Sequence, residues 1–211
     1  MHVMRGCALA VGSLGLVALS VMPAGAADTA LVGSSEVAGG YSYVYVSSDV
    51  NGSGGRGIPA GWFFSAGANI SDTFSVVGDI SGNYRSESGT VAGGTVTVSS
   101  NIHTFLAGPR VTGRSGQINF YGQFLVGAAR AAGSASGAVG GVPLSGSGSD
   151  TEFCLAPGAG IDINLGERSA LRAGVTERLI RVITPTSSTT TSSSLDKEFQ
   201  LQIGLVYRFG N

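Results

Sequence analysis

The segment Phe199-Gln200-Leu201-Gln202-Ile203-Gly204-Leu205-Val206-Tyr207-Arg208-Phe209 alternates without a break. Phe199, Leu201, Ile203, Leu205, Tyr207 and Phe209 share one face of an extended chain, and Gln200, Gln202, Gly204, Val206 and Arg208 share the other. Successive side chains of a strand point to opposite sides, so this period of two marks a strand with two unlike faces. One face is apolar throughout; the other is polar or small. A soluble barrel that binds small molecules keeps its oily face inside, and Gln, Arg and Gly would line an oily pocket poorly. The apolar face is therefore expected to meet lipid, with Phe199, Tyr207 and Phe209 as anchors near the strand ends.

The same pattern recurs upstream. Between Phe74 and Arg85, Phe74, Val76, Gly78, Ile80 and Tyr84 oppose Ser75, Val77, Asp79, Ser81 and Asn83. Between Phe153 and Leu165, Phe153, Leu155, Pro157, Ala159, Ile161, Ile163 and Leu165 oppose Cys154, Ala156, Gly158, Gly160, Asp162 and Asn164. Weaker alternation runs through Glu36 to Ser47, Pro59 to Asn69, Asn101 to Val111, Gln117 to Arg130 and Ser169 to Ile183, which makes eight strands. Several match the roughly 9 to 11 residues of a tilted membrane strand. The connections alternate too. Those near Ile70-Ser71-Asp72, Arg114-Ser115-Gly116 and Gly166-Glu167-Arg168 are tight, whereas Ser48 to Gly57, Ser86 to Ser100, Gly133 to Asp150 and Thr184 to Asp196 are long and rich in Ser, Thr, Gly and Asn. Short periplasmic turns and longer external loops belong to outer-membrane barrels. An open sheet edge in hydrocarbon would strand its backbone polar groups, so the sheet must close. The expected fold is all-β: an eight-stranded antiparallel up-and-down transmembrane β-barrel from about Ser34 to Asn211, both chain ends in the periplasm.

Composition narrows the field in the same direction. The chain has 211 residues, of which 12% are charged, a formal net charge of −1, and 35 glycines. Each Gly costs roughly 1 kcal/mol against Ala inside a helix, which disfavours a helical bundle. An ordinary apolar fraction with little net charge disfavours disorder, and the charge balance offers nucleic acid no basic surface. Residues 1–26 read as a cleaved signal peptide: Arg5, an apolar run from Ala8 to Met22, then small residues at Ala24 and Ala26. Residues 27–211 are the expected barrel domain. Cys7 would leave with the leader, so Cys154 has no partner for an internal disulfide.

The stretches Val37-Ala38-Gly39-Gly40-Tyr41-Ser42-Tyr43, His103-Thr104-Phe105-Leu106-Ala107-Gly108-Pro109-Arg110, Ala170-Leu171-Arg172 and Val206-Tyr207-Arg208-Phe209-Gly210 resemble the outer-membrane β-barrel domain family, of the OmpA-like and OmpX-like eight-stranded type. That resemblance implies a monomer in the lipid of a Gram-negative bacterial outer membrane, inserted by the outer-membrane assembly machinery. A final-strand aromatic serves as part of the insertion signal in the family, and Phe209 matches it, followed here by Gly210 and Asn211. No peptidoglycan-binding domain is expected after the barrel, so the tethering role of longer relatives does not carry over.

Inside the expected barrel, Glu36, Asp79 and Asp162 face Arg110, Arg172 and Arg208, all toward the periplasmic half. Charges in a narrow lumen must be paired, and eight strands leave only enough room for side chains. The six are thus expected to form a plug, the alternative being a narrow porin-like channel lined by the same charges. Tyr43, Tyr45, Trp62, Tyr84, Phe153 and Phe199 fall near the loop ends of their strands and Phe74, Phe120, Tyr207 and Phe209 near the turn ends, predicting two aromatic belts. Enzymatic barrels that act on lipids pair a Ser with a His acting as general base. His103 lies on the loop side with Ser99 and Ser100 nearby, but lipid A deacylases carry His-x-Ser and this chain reads His103-Thr104-Phe105. No catalytic residue is assigned, and His103 is taken as a rim residue. No spacing of Asp, Glu, His and Cys suits a metal, and Gly52, Gly54, Gly55 and Gly57 precede no Lys-Ser or Lys-Thr pair that would make a phosphate loop. No metal and no cofactor are expected, and Cys154 is read as a small inward filler. The stretches Gly133 to Ser149 and Pro185 to Ser194 are nearly uncharged and expected to be mobile. The function expected is that of a small structural outer-membrane barrel whose loops contact surfaces, as in adhesion.

Overall fold

The computed structural model describes residues 33–46, 56–91, 94–140, 142–187 and 190–210. The leader expected over residues 1–26 lies outside the described residues. Nine strands run through them: β1 (Ser35–Val46), β2 (Arg56–Ile58), β3 (Ala60–Asn69), β4 (Phe74–Val91), β5 (Gly94–Ser115), β6 (Ile118–Val139), β7 (Val142–Asn164), β8 (Ser169–Ser187) and β9 (Thr190–Phe209). β1 pairs antiparallel with both β2 and β3, each strand from β3 to β8 pairs antiparallel with the next, and β1 closes the ring against β9, from Ser35 opposite Phe209 to Val46 opposite Glu198. β2 adds no ninth stave. It continues β3 along β1 beyond Pro59: Tyr41 faces Trp62 and Val44 faces Ile58, so β1 advances three residues while the other strand advances four. The extra residue is a bulge at a proline, which has no N–H to give the ladder. Eight strands thus close the ring.

The alternation in β9 sorts as its chemistry requires. Leu201, Ile203 and Leu205 are 52%, 51% and 61% exposed, while Gln200, Gln202 and Val206 retain 1%, 7% and 1%. Tyr41, Trp62, Phe64, Ile80, Phe105, Phe124 and Val175 are also exposed on the outer face, an apolar surface suited to lipid and not to water. The lumen is not polar throughout. Leu106, Leu125, Ala129, Cys154, Ala156 and Ile180 form one buried apolar cluster, and Ala38, Phe63, Ala170 and Val206 another. Eight strands enclose a space that side chains must fill, and aliphatic groups fill it with no polar atoms to satisfy.

At one end the strands join by tight turns. Gly116, at φ +60°, opens the two-residue turn between Ser115 and Ile118, where a left-handed residue matches the strand twist. At Ile70 to Thr73, Ser71 Oγ accepts the Phe74 N–H at 3.0 Å. At the other end the long connections are paired strands. The stretches Ser86–Ser100, Gly133–Asp150 and Thr184–Asp196 are strand hairpins, which close at Val91 opposite Gly94, Val139 opposite Val142 and Ser187 opposite Thr190. In the first two hairpins the described side chains of both faces meet water, so their sequence carries no apolar contrast although the backbone ladder continues. Cross-strand hydroxyl pairs help to hold the first of them, Ser86 with Ser99 and Ser88 with Thr97, both at 2.9 Å. Gly57 lies in β2; Gly52, Gly54 and Gly55 are outside the described residues. Between β7 and β8 the ring parts. β7 pairs with β8 only as far as Cys154 opposite Ile180, while both strands continue outward with their other neighbours.

Candidate functional site

The lumen contains two layers of buried charge. In the layer nearer the turns, alternation aims Glu36 (β1), Arg110 (β5), Asp162 (β7), Arg172 (β8) and Arg208 (β9) inward, and register makes Glu36 the partner of Arg208 and Asp162 that of Arg172. Arg172 Nε and Nη2 reach the two Asp162 oxygens at 2.8 Å each, and Nη2 also meets Glu36 Oε1 at 2.8 Å. Arg110 comes from across the lumen to the same Glu36 oxygen at 2.5 Å, and donates to Gln123 Oε1 from Nε and Nη2 at 3.0 and 2.8 Å. Arg208 completes the set, 3.4 Å from Asp162 and 3.9 Å from Glu36, with a further hydrogen bond to Asn164 at 2.8 Å. Two carboxylates therefore serve three guanidiniums.

Tyr121 supports this layer. Arg110 and Arg172 stand over its ring at 4.6 and 4.9 Å from the centroid, close enough for the ring's negative face to attract both cations. Gly160 and Gly174 make room for it: a Cβ at either would collide with the Tyr121 hydroxyl. Asp79 is buried too, but stands apart from these ion pairs, with the Gln202 side chain hydrogen-bonded to it. Of the six charges predicted to lie together, five meet.

The layer nearer the hairpins was missed in the sequence. Arg178 is fully buried and lies 3.5 Å from Glu198, its Nη2 donating to Ser81 Oγ at 2.9 Å. Ser81 in turn meets Thr104 at 2.6 Å, and Ser42 accepts from Asn83 at 3.0 Å and from Gln200 at 2.8 Å. The signal was available: Arg178 is an even number of residues from Arg172, and Glu198 stands two before Gln200, so each shares its strand's inward face. Cys154 is buried beside this layer. Among the described residues no group of three or more His, Cys, Asp or Glu side chains could hold a metal ion.

The aromatic residues singled out in the sequence face outward. Tyr45 stands opposite Phe199 at the hairpin end, with Trp62, Tyr84 and Phe153 also exposed there; Phe74, Phe120, Tyr207 and Phe209 are exposed toward the turns. Tyr207 and Phe209 meet edge to face at 4.8 Å. Tyr43 is half-buried, its hydroxyl beside Gly57. His103 Nε2 is 2.9 Å from the Tyr84 hydroxyl, which also accepts the Trp62 indole N–H at 3.3 Å. Ser99 is engaged elsewhere, with Ser86.

A closed eight-stranded ring with an apolar exterior and paired charges inside defines a barrel that lives in a lipid bilayer. Residues 14–209 match the family model of the outer membrane protein beta-barrel domain, and the chain belongs to that family; it is a bacterial outer-membrane protein. Solved structures share the fold. Ail, the attachment invasion locus protein of Yersinia pestis, superposes with a TM-score of 0.57 at 21% identity, over 85% of this chain and 100% of that one. Neisserial surface protein A gives 0.51 at 16% identity, over 84% and 99%. OprG of Pseudomonas aeruginosa gives 0.52 at 13%, over 85% and 97%. No curated protein sequence matches the chain.

Proposed function

We propose that the chain is a small, monomeric structural barrel of the outer membrane, closed to ions by its buried charges, that presents stiff hairpins to surfaces outside the cell. The observation that carries this is the ion-pair lattice around Glu36 and Asp162, fixed by Arg110, Arg172 and Arg208 and seated on Tyr121. Charges so placed repay their desolvation only when each is paired and hydrogen-bonded, and paired side chains that fill the bore leave ions no path. The outward aromatics at the two ends act as belts in the headgroup regions, and outward Phe209 at the end of the last strand suits recognition by the assembly machinery. Ail, which shares the fold, is by name an attachment protein, in keeping with a surface role.

A non-enzymatic reading is favoured because the His103 Nε2 partner is a phenol, with no serine hydroxyl in the place of a nucleophile. Single-channel recording in planar bilayers tests the plug. Silence from the wild type is expected; steady, ion-selective conductance that changes when Arg110 is replaced by Ala would assign the chain to the narrow channels instead.

A further inference from the structure

The outer face of β3 to β6 carries an arrangement that the structural role does not use. Trp62 on β3 stands opposite Gly82 on β4, Gly82 opposite His103 on β5, and His103 opposite Arg130 on β6. All four belong to the outward set of their strands, at the hairpin end. Gly82 has no side chain, and a Cβ there would press on the Trp62 indole nitrogen and the Tyr84 hydroxyl. Its absence lets Trp62, Tyr84 and His103 join in a hydrogen-bonded shelf that ends at Arg130. Arg130 is exposed and, among the described residues, forms no ion pair. Its outward neighbours across the ladder are His103 and Thr151, so no carboxylate competes for it on that row.

Below the shelf, toward the turns, the outer face is apolar and hollow. Phe64, Ile80 and Phe105 form the next outward row, and Ala66, Gly78 and Ala107 the one after. The small residues leave a groove of about 440 Å³ between these aromatics and Val126. Barrel orientation follows from the short turns, which place the hairpins outside. The shelf then lies at the outer headgroup level and the groove in the outer half of the hydrocarbon.

We propose that shelf and groove together bind one phosphate-bearing lipid of the outer leaflet. Arg130 takes the phosphate, with one further hydrogen bond donated by the linked His103–Tyr84 pair, while an acyl chain fills the groove over Gly78. The planar guanidinium matches a phosphate with two parallel hydrogen bonds. A groove gives a lipid tail more contact atoms than a smooth wall does, so this patch holds a chain that the rest of the barrel exchanges freely.

The test uses the full chain in nanodiscs of phosphatidylcholine doped with diphosphorylated lipid A, with the retained lipid counted by native mass spectrometry. One lipid A is expected on the wild type. Arg130→Gln lowers its retention about tenfold or more, the loss of a hydrogen bond to a charged group. His103→Gln is the second headgroup variant, and dephosphorylated lipid A is retained as poorly as native lipid A is by Arg130→Gln. Gly78→Leu also lowers retention, by filling the groove; a Cβ there comes no nearer than 4.0 Å to its neighbours, so the fold tolerates it. Arg114→Gln, near the turn end, leaves retention unchanged, and inorganic phosphate does not displace the lipid, which separates a lipid site from a phosphate site. All variants are checked for the heat-dependent gel shift of a folded barrel. Undiminished retention in Arg130→Gln or Gly78→Leu, equal retention of dephosphorylated lipid A, or displacement by inorganic phosphate overturns the proposal.

Discussion

Arg172 grips Asp162 with two prongs across the β7–β8 seam, Nε to Oδ1 and Nη2 to Oδ2, each at 2.8 Å. The two are register partners, so the backbone ladder sets their spacing before the side chains meet. Little further ordering is required of a planar guanidinium held so close to its carboxylate.

Breaking that grip from the arginine side takes both of its short hydrogen bonds from buried Asp162 and leaves it only Arg208, 3.4 Å away. Arg172→Met is expected to cost about 3–5 kcal/mol, measured by urea titration of the folded band on gels. Arg172→Met combined with Asp162→Leu should cost less than the single change, since both buried ions go together and Glu36 keeps Arg110 and Arg208. A double variant weaker than the single one would mean that the pair is not the unit of stability.

Depth in the membrane should govern the outer face. Ile203 lies midway along the span of β9 that pairs with β1, and Ile203→Arg is expected to lose about 2–4 kcal/mol, while Phe209→Arg at the strand end loses about 0–1 through its charge. Equal losses at the two sites would place the bilayer elsewhere on the barrel.

Tyr121 occupies space left by two glycines. Gly174→Val must push its ring from beneath Arg110 and Arg172, an overpacking expected to cost about 1–3 kcal/mol. Adding Tyr121→Leu should recover part of that loss, which a double-mutant cycle reads directly.

His103 is expected to be dispensable for lipid chemistry. Thin-layer analysis of lipid A from overproducing cells should give the same acylation for wild type and His103→Ala. An acyl chain lost with the wild type and kept with the variant would make the protein a deacylase.

The barrel was legible wherever its two faces meet different media. Leu201, Ile203 and Leu205 against Gln200 and Gln202 leave no second way to orient β9, and the inward charges of β5, β8 and β9 follow from the same count. Phe63, Leu106 and Leu125 were harder, because they point inward from strands whose outer face is equally apolar, and period two disappears when both faces match. Arg178 and Glu198 were within reach of a stricter parity count. The long hairpins were not legible, since Ser134, Ser136, Ser145 and Ser147 meet water on one face and Ala135 and Gly146 on the other, and only hydrogen bonding sets them apart from coil. The approach of Arg110 to Glu36 from across the bore depends on barrel diameter and shear, which no single strand encodes.

Because β6 continues as a paired strand from Arg130 to Val139, its height is fixed by arithmetic. Nine further residues at about 3.3–3.4 Å each carry the tip roughly 30 Å along the strand. Removing two cross-strand pairs would therefore lower the tip by about 7 Å while keeping its inside-out parity. The ladder holds that tip at a set distance from the barrel, as a post does, and the number of rungs is the ruler.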